Sequence, residues 1–269
     1  MSKNNYKDIL FKVYIFIFIT IFMLFIILTI FVVFQKSFAN LASIIMDKEI
    51  QFAIKLTLYT STISTIICLI FAVPIAYGLA RYDFFGKMII NSIIQISNSI
   101  PPIAAGIALL MLFSTKQVEG IINKLGLDPV FSVKGIILAN FFINAPYMIR
   151  ILKGAFEDVN PKLEFVGRTL GCSVWGSFFK ITIPLAKNGL ISAIIITWIN
   201  ALGEFGTALM LAGAIRMKTE TLPVAIFLNL SAGNLDKALA AATILIVISI
   251  ICLFLFECVQ KCNTKKVNY

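Results

Sequence analysis

The sequence predicts an all-α membrane protein with six transmembrane helices, in a single domain covering residues 1–269. Its 269 residues have a mean hydropathy of +0.96 and 59% are hydrophobic, which fits a polytopic membrane protein and excludes an ordinary soluble domain. Several apolar runs are long enough to cross the hydrocarbon core of a bilayer. One long polar island, residues 157–184, carries charges that are costly in hydrocarbon, so it is expected to lie in water or against another protein.

Six segments have the length and apolar character of a membrane span. They are residues 13–34, 52–80, 88–113, 133–151, 185–212 and 238–258. The first is longer than a signal-peptide core and lacks a small-x-small cleavage site, so we interpret it as a retained span, with cleavage as the alternative. The apolar segment 222–230 is too short to span and is expected to form an interfacial or re-entrant helix.

Helix-breaking residues mark the interiors of several predicted spans. Pro74 is expected to kink or loosen the second span. The third is interrupted by Asn98-Ser-Ile-Pro-Pro102 and then by Gly106, which free backbone carbonyls inside the membrane, so this backbone is expected to face protein or a pathway. Pro101 and Pro102 are therefore candidates for a pathway or gate, although prolines in spans more often shape packing.

Glu204 is the only carboxylate that the sequence places deep in an apolar segment. A carboxylate at membrane depth is by default a candidate functional residue. The flanking Gly203 and Gly206 indicate close helix approach, so a hydrogen bond to a neighbouring helix is the alternative. Because a fixed negative charge repels an anion, we favour a structural or gating role over substrate contact.

The sequence contains few groups that could support catalysis. It has no His, no G-x-x-x-x-G-K-[ST] motif with which to hydrolyse ATP, and no close pair of carboxylates in a span. The five Cys residues are expected to be reduced thiols. Cys258 and Cys262 share a helix face, but without another soft ligand nearby a metal site is the lesser alternative. We therefore expect a transport protein that binds no metal or cofactor itself, and no enzyme.

Residues 157–184, which we call the foot, have the pattern of two short helices joined by a turn. A helix is predicted over 162–170, Gly171 ends it, a second amphipathic piece covers 173–181, and Pro184 opens the next apolar helix. A Cβ at Gly171 is expected to block the turn. An amphipathic connector lying on the membrane surface is the alternative.

The cations are distributed unevenly along the chain. If the N-terminus is cytoplasmic, the inside segments hold the majority of the 23 Lys and Arg residues. The two termini and the foot are therefore predicted to face the cytoplasm. Arg216 and Lys218, just outside the fifth span, are interpreted as part of a solvated loop, with attraction of an oxyanion or docking of a binding protein as alternatives.

The foot also contains residues at the spacing of a known motif. This motif consists of E-A-A-x-x-x-G, followed by nine arbitrary residues and then by I-x-L-P. The residues at the motif positions are Phe165, Val166, Gly167, Gly171, Ile181, Ile183 and Pro184. Of the first three only the small third residue is kept, as Gly167, and Glu164 lies one residue before the motif's Glu. The foot thus resembles the EAA loop of permease subunits of bacterial ABC importers. In that family the loop forms coupling helices that sit in a groove of the ATPase subunit, which implies ATPase coupling by Phe165, Val166, Gly167, Gly171, Ile181 and Pro184.

The resemblance extends over about residues 52–258 and is similar to the molybdate, tungstate and sulfate branch of these permeases. The segments that carry it are Ser99-Ile-Pro-Pro-Ile103, Arg168-Thr-Leu-Gly-Cys-Ser-Val-Trp175, Phe179-Lys-Ile-Thr-Ile-Pro-Leu185, Ala201-Leu-Gly-Glu-Phe-Gly-Thr207, Leu211-Ala-Gly213 and Thr219-Glu-Thr-Leu-Pro223. This branch implies a dimeric bundle, as a homodimer or close heterodimer, in the lipid of the bacterial cytoplasmic membrane. It also implies cytoplasmic ATPase subunits that bind ATP and Mg, an extracytoplasmic substrate-binding protein, and no nucleic acid.

The resemblance leaves the cargo open within a short list. Molybdate or tungstate is expected first, with sulfate, phosphate, iron and polyamines as alternatives. An ion-coupled secondary carrier is the main rival class. It requires ionisable residues at the midplane and often two repeated halves, of which the sequence offers only Glu204. A membrane enzyme or scaffold would require a cluster of acid-base residues, which the sequence lacks.

Overall fold

The computed structural model describes residues 2–38, 41–97, 99–124, 126 and 128–265, and within them the regular structure is entirely helical. The predicted interruption at Asn98 and the tail beyond residue 265 lie outside the described residues. The helices are α1 Ser2–Ser37, α2 Leu41–Ile45, α3 Lys48–Arg81, α4 Lys87–Ser97, α5 Pro102–Phe113, α6 Lys116–Lys124, α7 Val133–Glu157, α8 Pro161–Thr169, α9 Val174–Ser177, a π turn Phe178–Thr182, α10 Ile183–Leu185, α11 Lys187–Gly203, α12 Gly206–Ala212, α13 Leu222–Ser231 and α14 Leu235–Lys265.

Within these residues, four helices are long and apolar enough to cross a membrane by themselves, namely α1, α3, α7 and α14. Two further spans are obtained if each of two bent helix pairs counts as one, which gives the six that the sequence predicts. The pairs are α4 with α5, and the foot helices of residues 174–185 with α11. The helix α3 runs through Pro74 without interruption.

The predicted fifth span, 185–212, is wrong as a single helix. The helix α11 ends at Gly203, and α12 begins at Gly206. The chain breaks there because Glu204 has an extended conformation and its side chain accepts a hydrogen bond from the N–H of Thr207, at 2.9 Å. A carboxylate in this position satisfies a free N–H of a new helix instead of continuing the old one.

The short apolar segment forms α13, as predicted, and this helix is largely buried. Leu222 and Ala225 pack with residues of α3 and α14 in one apolar cluster. The N–H of Leu222 donates to the hydroxyl of Thr57 on α3, at 2.7 Å. The first turn of α13 is therefore fastened to the interior of the bundle.

The helix α3 is the central element of the bundle, and it packs most extensively against α7 and α11. Its contact face is built of small residues, including Ala72 and Ala76, which are completely buried. Met148, Leu152 and Phe156 of α7 lie against this face. Small residues let two helices approach closely, which is the usual way in which membrane helices gain packing energy.

Two helices present broad apolar surfaces to the outside of the chain. The described side chains of α1 are almost all exposed, and among them Phe16 and Phe25 are 67% and 69% exposed. The helix α4 contains no buried residue. Surfaces of this kind are incompatible with water and are expected to face lipid or another membrane subunit.

Candidate coupling site at the foot

The foot forms the two short helices that the sequence predicts, and local capping explains their starts. The side chain of Asn160 accepts a hydrogen bond from the N–H of Lys162, at 3.0 Å, and Pro161 occupies the first turn of α8. The hydroxyl of Ser173 accepts from the N–H of Gly176, at 3.0 Å, and starts α9. Each helix therefore begins with a side chain that satisfies one of its free N–H groups.

Gly171 makes the corner, but for a different reason than we predicted. No atom lies within 4 Å of the position that a Cβ would take, so nothing blocks a side chain there. Instead φ is +95°, a conformation that glycine adopts readily. The N–H groups of Cys172 and Gly171 donate to the carbonyls of Gly167 and Arg168, at 3.0 and 3.1 Å, which is the Schellman arrangement at a helix end.

Gly167, the small residue of the motif, is buried where the two halves of the foot meet. A Cβ at this position would lie 2.3 Å from Cδ1 of Ile181. Two motif residues fourteen positions apart in the chain therefore pack together because one of them has no side chain. This contact holds α8 against the π turn.

Glu164 anchors the foot, a role that its position in the sequence does not predict. Its Oε1 accepts from Nε of Arg81 at 2.7 Å and from the hydroxyl of Thr182 at 2.8 Å, and its Oε2 accepts from the hydroxyl of Tyr77 at 2.9 Å. The side chains of Arg81 and Glu164 are only 7% and 11% exposed. The guanidinium also donates to the carbonyl of Val159, at 2.8 Å. A buried, fully engaged ion pair thus ties the foot to the end of α3.

An aromatic cluster reinforces this anchor. The ring of Phe178 packs edge-on against Tyr77, with 4.7 Å between centroids, and lies 6.2 Å from the ring of Phe156. Phe178 is only 9% exposed. Trp175 and Phe179 are not buried, since they are 73% and 59% exposed. Their rings stack on each other, with 6.0 Å between the ring centroids.

The foot exposes seven large apolar side chains, together with the cations Lys162, Arg168 and Lys180. We call its exposed apolar residues the docking surface: Leu163, Phe165, Val166, Leu170, Val174, Trp175 and Phe179, which are between 46% and 81% exposed. Phe165 and Val166 occupy motif positions and belong to this surface, whereas Gly167 and Ile181 lie behind it. Pro184 is exposed in α10, at the junction with α11. The foot therefore has a buried side that anchors it and an apolar side that nothing in the described chain covers.

The three candidate pathway residues come together where two short membrane helices begin. The hydroxyl of Thr207 donates to the carbonyl of Pro102 at 2.9 Å, while the N–H of Thr207 donates to Glu204. A Cβ on Gly206 would lie 3.0 Å from Cβ of Pro102. Pro101 directly precedes α5 and its carbonyl accepts the N–H of Ala105 at 3.0 Å. In the structure the carboxylate of Glu204 thus accepts an N–H of the first turn of α12.

A second charged cluster lies at the opposite end of α3, about 50 Å from the foot for a helix of this length. The amine of Lys237 lies 2.6 Å from Asp47 and 3.6 Å from Glu49. Arg216 also pairs with Glu49, so it is more than part of a solvated loop. Glu220 is completely buried beside this cluster and accepts from the N–H of Met217, at 2.9 Å.

Fold and site together define a polytopic membrane protein with an anchored foot that exposes large apolar side chains. Residues 72–269 match the family model described as "Binding-protein-dependent transport system inner membrane component", which covers most of the chain. The chain belongs to this family. It is an ABC importer permease, a transport component and not an enzyme.

Individual relatives agree with this assignment. A probable molybdenum ABC transporter permease protein of Haloferax volcanii is 33% identical over 218 residues, which are 81% of this chain and 78% of that protein. The molybdate/tungstate transport system permease protein of Thermococcus kodakarensis is 37% identical over 166 residues, 62% of each chain. The sulfate transport system permease protein of Escherichia coli is 28% identical over 227 residues, 84% of this chain and 82% of that protein.

A solved structure confirms the fold over nearly the whole length. A chain of the bacterial alginate ABC transporter, crystallised with its alginate pentasaccharide-bound periplasmic protein, superposes with a TM-score of 0.74 at 19% sequence identity. The match covers 98% of this chain and 96% of that chain. The all-helical fold with a helical foot is therefore that of an ABC transporter permease.

Removing the charge of Glu164 tests the anchor. We expect Glu164→Gln to lower the free energy of unfolding by about 3–5 kcal/mol, because Arg81 is left buried without its counter-charge. Unfolding by SDS in mixed micelles measures this difference. Asp83→Asn, which breaks the exposed pair with Lys87, is the matched control and should have a much smaller effect, because water screens an exposed pair. Equal effects of the two variants would contradict a special role of the buried pair.

Adding a methyl group to Gly167 tests the packing inside the foot. Gly167→Ala should destabilise the protein by less than about 1 kcal/mol, because the new Cβ meets only Cδ1 of Ile181, the flexible end of a side chain that can rotate away. Ile181→Val removes that Cδ1 atom, so the double variant should regain much of the loss. Thermal unfolding of the two single variants and the double variant shows whether the effects are coupled. Purely additive losses would show that the contact does not matter.

The far cluster predicts a pH dependence of stability. Burial raises the pKa of Glu220 from its ordinary value of 4.5 to about 7, with the Met217 N–H lowering it and the adjacent Glu49 raising it. Its contribution is fully present below pH 4.5, where folded and unfolded forms are both protonated, and is lost as the pH rises through about 7. We expect Glu220→Gln to flatten the fall of the melting temperature across this window. Glu119→Gln, at an exposed carboxylate of α6, should leave the slope unchanged.

Proposed function

We propose that this permease imports an oxyanion, molybdate or tungstate in the first place, and that its foot docks a separate ATPase subunit. The observation that carries the proposal is the docking surface, a set of large apolar side chains exposed on a segment that is otherwise firmly anchored. An exposed patch of this kind marks an interaction site. The family's EAA loop, which the foot resembles, docks in this way.

The anchor explains how docking would be converted into movement. Glu164 and Phe178 attach the foot to α3 and α7, and Pro184 leads from the foot into α11. Closure of the ATPase pair on ATP and Mg, both bound by the partner, would therefore displace membrane helices together with the foot. Docking must be stronger in one nucleotide state than in the other, since a ligand without differential affinity shifts no equilibrium.

The choice of cargo is supported by the relatives. The Haloferax protein is named for molybdenum, the Thermococcus protein for molybdate and tungstate, and the Escherichia coli protein for sulfate. Molybdate, tungstate and sulfate are tetrahedral oxyanions. Sulfate is therefore the alternative cargo, and binding measurements on the associated binding protein would distinguish the three anions.

The proposal includes the assembly and its orientation. Two permease subunits, identical or closely related, would form the pathway, and the apolar outer faces of α1 and α4 are available for lipid and the second subunit. Most Lys and Arg residues lie in the termini, in the foot and in the other segments on the same side of the membrane, which favours a cytoplasmic foot and cytoplasmic termini. The cluster around Glu49 would then face the extracytoplasmic binding protein.

An ion-coupled carrier is the rival from another class. It rested on Glu204, the one carboxylate deep in an apolar segment. Since Glu204 accepts the Thr207 N–H as a helix cap, the structure offers a packing role for this residue. The docking surface, in contrast, has no purpose in a carrier that needs no partner.

Truncating the two stacked aromatic residues tests the docking. Trp175→Ala with Phe179→Ala should weaken ATPase binding at least about tenfold, because burying each side chain is worth about 1.5–3 kcal/mol. Co-purification of the ATPase and ATP-dependent uptake of molybdate, tungstate and sulfate are the measurements. Leu235→Ala, at a similarly exposed residue at the far end of the bundle, is the control. If the aromatic variant retains ATPase and uptake, the foot is not the coupling element.

A further inference from the structure

A cavity of about 620 Å³ lies between α3, α4 and α7, in the half of the bundle that carries the foot. Its apolar wall includes Leu79 of α3 and Ile149 of α7. The remaining lining is mainly polar or charged: Asn91, Gln95, Ser99, Arg150, Lys153 and Glu157. Arg150, Lys153 and Glu157 lie at or beyond the end of the predicted span 133–151, whereas Asn91, Gln95 and Ser99 lie within the predicted span 88–113, where polar side chains face the bundle interior or a water-filled cavity.

The sequence of α4 places polar side chains on the face that lines the cavity and apolar side chains on the outer face. Met88, Ile89, Ile93 and Ile96 are 57% to 83% exposed on the outside of the chain. Asn91 and Gln95, one helical turn apart, instead line the cavity. The helix therefore turns its amides inward and its largest apolar side chains outward, which is the reverse of a soluble protein. The face of α4 that lines the cavity is therefore hydrophilic.

Two cations of α7 face the same space. Arg150 and Lys153 are three residues apart, and both line the cavity. The amine of Lys153 reaches Oδ1 of Asn91 across the cavity, at 3.4 Å, and lies 3.6 Å from Glu157. Within the described residues, no carboxylate pairs with Arg150. The lining thus carries one more positive than negative charge. The guanidinium of Arg150 is free to bind a ligand.

We infer that this cavity is a binding site for a tetrahedral oxyanion, with Arg150 and Lys153 as its cationic contacts and Asn91, Gln95 and Ser99 as neutral donors. A guanidinium fork suits the planar edge of two oxyanion oxygens, and amide and hydroxyl groups can donate to the others. The inference rests on the proposed oxyanion cargo and adds a site inside the permease, near the end of the path.

The site is better suited to an anion that passes through it than to one that is held tightly. A cavity of about 620 Å³ is far larger than one small anion, so water remains around the ligand. Glu157, at the last residue of α7, partly neutralises Lys153 and limits the attraction. A site on a transport path must bind strongly enough to admit the ion and weakly enough to release it. The phosphate of an anionic lipid has the same chemistry and is the other possible source of the ligand.

Anion binding to the purified full-length protein, with its co-purifying subunits and without nucleotide, tests the inference. The protein is placed in phosphatidylcholine nanodiscs, and bound tungstate, molybdate and sulfate are counted by mass spectrometry after equilibrium dialysis. Arg150→Gln with Lys153→Gln should weaken binding at least tenfold, and Arg150→Lys should retain part of it. Lys116→Gln, at an exposed cation of α6, is the matched control and should bind like wild type.

A second arm adds phosphatidylglycerol to the nanodiscs. If the wild type retains this lipid, the double variant loses it and no free anion binds, the site belongs to lipid phosphate and the cargo path is overturned. Anion binding that is absent or equal in wild type and double variant, without lipid retention, overturns the site itself. ATPase co-purification is measured on the same preparations, and uptake is measured after reconstitution of each preparation into sealed liposomes. If the wild type takes up none of the three anions, the proposed cargo is refuted instead.

Discussion

The buried ion pair between Glu164 and Arg81 is the interaction on which the rest of the functional architecture depends. It joins the first turns of the foot to the last residue of α3, and Tyr77 and Thr182 complete the hydrogen bonds of the carboxylate. Burying such a pair is costly unless every charge is compensated, as it is here. The foot is therefore attached to the central helix by a buried ion pair whose carboxylate is fully hydrogen-bonded.

The same helix carries a charged cluster at its other end. Asp47 caps the start of α3, and Glu49 in its first turn meets Arg216 and Lys237 from two later elements. Both ends of one long, closely packed helix are thus tied by ion pairs to the segments that lie outside the apolar core.

Between these ends, the irregular helices have specific physical causes. The pair α5 and α12 begins at Pro102 and Gly206, where a glycine allows a backbone approach that a side chain would obstruct. Glu204 and Thr207 satisfy the backbone groups that the break sets free. Broken helices are tolerated at membrane depth only when neighbouring groups take over their hydrogen bonds, and here they do.

Local sequence determined the class of fold, most of the helices and the position of the foot, because apolar runs of span length, capping residues such as Asn160 and a glycine corner act over a few residues. Tertiary structure alone decided what anchors the foot. Glu164 and Arg81 are 83 residues apart, and no local pattern shows that their charges meet. It also decided that the predicted fifth span breaks at Glu204, since the cap and the contact with Pro102 exist only once distant helices have packed.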